Sequence, residues 1–225
     1  MYDITDLISK KRLDKYENEL PERALDLYIL NVRLCSSLYV IIHFFEIMFR
    51  NKVDLIFSKH LGANWIFDAQ YHIGENIGHM KNAIEKLSSM KDKNASKKDN
   101  LISELGLGFW TRLFDKDYMP LVWDKHPEIL REIFSFHKNK EKVKLSAING
   151  NVNSIRKYRN KISHHGSVVV CSDGKGSCAV MHRVIAEAIR TIAGNAVLTQ
   201  IMAIDNFTEI YVDGIKQGLL KKTKN

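Results

Sequence analysis

The sequence predicts an all-α fold, a bundle of roughly five or more helices carrying one small β-hairpin. Three observations predict it. Only three of the 225 residues are proline, so little in the chain stops a helix once it has begun. Apolar residues recur at helical spacing over long stretches, as in Leu25, Tyr28, Ile29, Val32, Leu34, Leu38, Ile41, Ile42, Phe45, Met48 and Phe49. Strand texture is confined to Ser167–Cys171 and Ser177–Val180, either side of the Gly-rich run Ser172-Asp173-Gly174-Lys175-Gly176, and this reads as the hairpin.

Residues up to about Glu19 are polar and read as a short helix or arm, with Lys10-Lys11-Arg12 as solvated surface. Pro21 suits the first helical position of the next element. From Glu22 one long helix, or two joined ones, should run to about Ser58 and form the centre of the core. Gly62-Ala63-Asn64-Trp65 marks a loop, with Trp65 as an anchor. Tyr71 to Met90 follows, and there His72 and His79 share one helical face. Two such histidines without a carboxylate or cysteine partner at ligand spacing are a poor metal signal, so they and the nearby His60 are read as surface or core residues and no metal is expected.

Lys91 to Asn100 is a charged break, expected as a mobile loop that leaves Lys97 and Lys98 free to meet a polyanion. Leu101 to Leu107 is a short helix ended by Gly106 and Gly108. The aromatic residues of Phe109–Phe114 and Tyr118–Trp123 are read as core packing rather than a base-stacking surface. Pro127 opens a helix to Phe136, and Lys138, Lys140, Lys142 and Lys144 gather after it. Val143, Leu145, Ile148, Val152 and Ile155 then lead into a basic helix, with Gly150 expected to interrupt it. Met181 to Ile204 is an apolar helix whose alanines allow close packing, and Asn206 to Leu219 is amphipathic. The expected organisation is an arm over 1–20, one helical domain over 21–220 and a basic tail over 221–225.

A formal charge of +8 and a pI near 9.3 suit a polyanionic partner, and would equally suit an anionic membrane surface. The first residues are polar and acidic, unlike a signal peptide. The longest apolar run, Leu38 to Phe49, holds His43 and Glu46 and is too short to cross a bilayer. Three scattered cysteines, Cys35, Cys171 and Cys178, make a disulfide framework a poor reading, although the last two flank the expected turn. The expectation is a cytoplasmic protein with no membrane attachment.

The most informative stretch is Ser154 to His165, a basic helix that ends in two histidines before Gly166. Cleaving RNA without a metal needs a group to take the 2′-hydroxyl proton, a cation for the phosphate and a proton for the leaving 5′ oxygen. Histidine suits the proton work because it titrates near neutral pH. Arginine suits the phosphate because its planar fork donates two parallel hydrogen bonds and keeps its charge. On a helix, residues four apart differ by about 40° and residues five apart by about 140°. Asn160 and His164 therefore share a face, whereas Arg159 has Ser163 as its neighbour and must reach around.

Arg159-Asn160, three further residues and His164 resemble the signature of the HEPN ribonucleases, and in particular their Abi-like (abortive infection) branch. Glu46, three residues and Arg50-Asn51 are similar to the N-terminal signature of that branch, and Leu55 stands where a histidine would complete a second copy. Phe109-Trp110-Thr111, then Leu113-Phe114 and the later Trp123, resemble it again, so the likeness runs from about Leu25 to about Leu198. The resemblance implies a metal-independent endoribonuclease without cofactor, acting in phage defence or as a toxin and leaving 2′,3′-cyclic phosphate and 5′-hydroxyl ends. It also implies a homodimer with a composite site, and an antitoxin that is protein or RNA. His164 would be the acid or base, Arg159 would hold the phosphate, and Asn160 would orient one of them. Ser163, His165, Glu46, Arg50 and Asn51 would support the site, while Arg156, Lys157, Lys161, Lys142 and Lys144 would bind RNA; His182 is a further weak candidate. Some HEPN toxins are silenced on a tyrosine two residues past the histidine; here that place is Gly166. Two other readings stay open: a non-catalytic module that holds a regulatory RNA or partner protein, and a scaffold whose charge serves solubility.

Overall fold

The computed structural model describes residues 4–89, 97–170 and 177–221, without the side chains of Asp6, Ser89 and Lys142. All regular structure among them is helical, as the apolar periodicity predicts. In chain order the α-helices are α1 (Ile4–Leu7), α2 (Lys10–Glu19), α3 (Ala24–Leu61), α4 (Glu75–Ser89), α5 (Lys97–Glu104), α6 (Leu107–Arg112), α7 (Pro127–Ile133), α8 (Leu145–Ser163), α9 (Cys178–Ala193), α10 (Asn195–Met202) and α11 (Phe207–Lys216). They belong to two compact units. The first comprises Met1–His43, Lys157–Ala186 and Thr199–Asn225, the second Phe44–Arg156 and Glu187–Leu198.

Helix α3 runs for 38 residues because no proline or glycine interrupts it. Its inward stripe is Leu27, Leu30, Leu34, Leu38, Ile41, Phe45, Phe49, Val53 and Phe57, each at most 2% exposed. That three-to-four spacing is the amphipathic signal, and burial of such side chains is worth about 1.5–3 kcal/mol each. Pro21–Leu61 is long and apolar enough to cross a membrane by length and composition, the one such helix among the described residues.

In the first unit α2 packs rather than trailing away: Tyr16 is fully buried and meets Tyr28 edge to face at 5.4 Å. Helix α11 is held to α3 by Arg33, which pairs with Asp213 at 3.2 Å, while Arg23, in the turn before α3, donates to the carbonyl of Gln217 just after α11. The second unit has an aromatic core, as the sequence predicts. Phe114 lies 5.3 Å from Phe49 and 5.0 Å from Trp123, and Phe57 meets Trp65 edge to face at 4.8 Å. Each tryptophan N–H finds an acceptor, Trp65 on Asp54, Trp110 on the Leu105 carbonyl and Trp123 on the Leu113 carbonyl, so no buried indole donor is wasted.

Four expectations are corrected. The hairpin is absent from the described residues; Cys171 of its first strand and the turn residues 172–176 lie outside them. The Val168 amide donates to Asn31 Oδ1 at 2.7 Å and the Val170 amide to Ser167 Oγ, so side chains satisfy what a partner strand would. Cys178-Ala179-Val180 opens α9 instead of a strand, because Ser177 accepts the Val180 amide and caps the helix. Gly150 does not interrupt α8; an interior glycine costs about 1 kcal/mol, less than the tertiary packing of the helix returns. The apolar run from Met181 breaks at Gly194, whose φ of +88° suits glycine, and a side chain there would meet the Phe136 ring at 3.0 Å. Finally, Lys98 is not free: its ammonium pairs with Asp54 at 3.0 Å and donates to Ser58 Oγ and the Ala63 carbonyl. Residues 91–96 of the expected loop lie outside the described residues, and its remaining residues, Lys97 to Asn100, open α5 instead.

Candidate functional site

Helix α8 is anchored by Val152, Ile155 and Tyr158, all at least nine-tenths buried. Their spacing of three fixes the helix about its axis and turns Lys157, Asn160 and Ser163 to solvent. The helix then stops in a Schellman turn. The Gly166 amide donates to the Lys161 carbonyl at 2.7 Å and the His165 amide to the Ile162 carbonyl at 2.9 Å. His164 still follows helical spacing, since its amide donates to the Asn160 carbonyl at 3.0 Å.

The turn places both histidines in solvent at a cost. His165 takes the left-handed position with φ +57°, the one non-glycine residue with positive φ among those described. Gly166 must be glycine, because a Cβ there would stand 2.6 Å from Lys161 Cγ and 2.8 Å from its carbonyl oxygen. A tyrosine would not fit this backbone. Substituting His165 by glycine is expected to raise stability by up to about 1 kcal/mol, the strain of a side chain in this region less the added freedom of the unfolded chain. Urea denaturation checks this, and a lower midpoint would mean that the imidazole makes contacts worth more than the strain.

Cations from a distant part of the sequence join this turn. Arg12 Nη1 donates to the His165 carbonyl at 2.9 Å. The Lys15 ammonium is held below the usual lysine range, first by burial and then by Arg12 and Lys161. Cys35 Sγ lies 3.9 Å from the Gly166 carbonyl oxygen, and burial pushes its thiol up to about 11 against the pull of Lys161 and Lys15. That shift favours the thiol over the thiolate, the form that acts as a nucleophile.

The first unit thus gathers Lys157, Arg159, Asn160, Lys161, Ser163, His164 and His165 on one segment, with Arg12 and Lys15 beside its end. Arg159 is half-buried and engaged rather than idle. Glu46, Arg50, Asn51, Arg156 and Lys144 belong to the second unit, and the Lys142 side chain lies outside the described residues. There Arg50 Nη1 donates to the Ser103 carbonyl, Arg156 forks onto Asn153 Oδ1, Asn51 is exposed, and Leu55 is 61% exposed. Arg12 and Lys15 were not legible as site residues, since no local spacing ties them to the histidine turn, and His165 is 153 residues from Arg12.

The other histidines divide. His182 is 7% exposed, bonds to Asp205 and stacks on Phe207 at 4.3 Å, so it belongs to the interior. His72 bonds to the Ile66 carbonyl at 2.8 Å. His60 meets His126 and Glu128 in a cluster whose ligand atoms lie within 4.8 Å of one another, the one group among the described residues that could hold a metal. No protein-family model matches the chain, and no curated protein or solved structure matches it either.

Proposed function

We propose that the protein is a metal-independent endoribonuclease of HEPN type, acting through the end of α8. The observation that carries this reading is the pair of exposed histidines one turn beyond Arg159 and Asn160, in a neighbourhood that also holds Arg12, Lys15 and Lys161. In this mechanism one His164 takes the proton from a ribose 2′-hydroxyl. The freed oxygen attacks phosphorus, the O2′–P bond forms and the P–O5′ bond breaks. His164 of a second copy protonates the departing 5′ oxygen. Arg159 holds the charge that grows on the phosphate oxygens, the electrostatic contribution that usually weighs most in such sites. Asn160, on the same face as His164, orients the imidazole, while Lys157, Lys161 and Arg12 hold flanking phosphates. Phage defence, or a toxin neutralised by its antitoxin, is the biological setting this chemistry fits.

The test uses end-labelled transfer RNA and a mixed-sequence single-stranded RNA, incubated with the full chain in EDTA. Cleavage should persist and give 2′,3′-cyclic phosphate and 5′-hydroxyl ends, so that the 3′ fragments accept label from polynucleotide kinase without prior dephosphorylation. Ends carrying a 5′-phosphate would sink the mechanism. RNA that is retarded on a gel but stays intact would point to the binding module, which the incomplete second copy at Leu55 favours if two full motifs are needed. Loss of any salt-dependent binding would leave the scaffold.

A further inference from the structure

We propose that His60, His126 and Glu128 form a site for a divalent transition-metal ion, with zinc as the best fit. The three come from two segments of the second unit. His60 lies in the last turn of α3, while His126 and Glu128 flank Pro127 at the start of α7. Glu128 Oε1 lies 3.3 Å from His60 Nδ1 and 3.4 Å from His126 Nδ1. Tetrahedral zinc with bonds of about 2.0–2.1 Å holds its ligand atoms about 3.4 Å apart. Two edges of such a tetrahedron are therefore already in place, and small side-chain rotations close the third.

The surroundings match a metal site as well as the ligands do. His60 Nε2 meets Glu132 Oε1 at 3.0 Å, and the other oxygen of Glu132 is held by Lys59 at 2.7 Å. A ligating histidine commonly donates its second ring N–H to a carboxylate, a backbone carbonyl or water, which fixes the tautomer and turns the free lone pair toward the metal. Glu128 and Glu132 stand four residues apart on one face of α7, so His60 lies between a ligand and an orienting group. The His60 side chain is 16% exposed, His126 34% and Glu128 45%, so an ion is sheltered yet has a way in.

Two imidazoles and one carboxylate favour zinc or a neighbouring transition metal over calcium or magnesium, which prefer oxygen alone. The negative end of α3 also favours a cation at this place. The ion would clamp the end of α3 to the start of α7, with its fourth position open to water. This site is independent of the histidine turn on α8, and its test reads binding rather than cleavage.

The chain is stripped with chelator, dialysed and titrated with zinc chloride by calorimetry, and with cobalt chloride by visible absorption. One zinc per chain and an intense tetrahedral cobalt spectrum are expected. His126→Ala and Glu128→Gln should each weaken zinc at least tenfold, and Glu132→Gln by about 10–100-fold with the stoichiometry kept. His126 is partly exposed, so its variant should keep the parent's circular dichroism, and the wild-type spectrum with cobalt reports on the site even if a variant misfolds. Absence of saturable zinc binding by the wild-type chain would overturn the proposal. So would zinc binding that is unchanged in the His126→Ala, Glu128→Gln double variant.

Discussion

His164→Ala is expected to lower the RNA cleavage rate by about 10²–10⁴-fold, the range that a positioned general acid or base supplies. Both histidines are exposed, and His164 closes a helix whose anchors lie a turn or more earlier, so folding should be unaffected. Equal thermal midpoints for variant and parent would show that chemistry alone was lost. Arg159→Ala removes the charge that the proposed mechanism sets against the phosphate and should fall within a similar range. Arg159→Lys should recover little of that, because an ammonium cannot make the paired hydrogen bonds. His165→Ala should cost far less. The arrangement fails if His164→Ala cleaves at the parental rate, or if His165 proves the more sensitive of the two.

Asp205→Ala is expected to cost about 3–5 kcal/mol of folding stability, the penalty for removing one member of a buried pair. Its side chain is 0% exposed. It accepts from Phe207 N at 2.8 Å and from Ser37 Oγ at 3.4 Å as well as bonding His182, so its loss strands three groups. Total stability of a domain is only about 5–15 kcal/mol, so this single change should be visible in any denaturation curve. Burial alone would raise the Asp205 carboxyl, but the bonds from His182, Phe207 and Ser37 outweigh it and hold the group below its ordinary value. A depressed carboxylate gives its full stability above the unfolded pKa of about 3.9 and loses it as pH falls through the folded value. Asp205→Asn should therefore narrow the gap from the parent in strong acid and widen it toward neutrality. A loss below about 1 kcal/mol at pH 7 would show that water replaces these bonds.

The helices were legible wherever a periodic apolar stripe had no glycine or proline in it. Helix α3 is the clearest case, and the aromatic residues around Trp110 declared themselves as core by their density. Local texture misled where a side chain decided the outcome. Val168 and Val170 look like strand residues, yet Asn31 and Ser167 take up their amides. Ser177 reads as the first residue of a strand and is a helix cap. The histidine turn could be read because all its parts lie within a few residues of Arg159. The partners of His60, His165 and His182 could not, since Glu132, Arg12 and Asp205 are 72, 153 and 23 positions away. Only folding brings them together, and no periodicity reports it.

The contact from Arg12 to the His165 carbonyl has an energetic corollary. The carboxyl end of a helix carries about half a negative charge, which repels an anion at the place where the proposed chemistry needs one. The guanidinium on α2 offsets that charge, so under the proposed mechanism docking of α2 and capture of a phosphate would be thermodynamically linked. By reciprocity, whatever loosens α2 would then weaken the proposed hold on a polyanion by the same factor as the polyanion tightens α2.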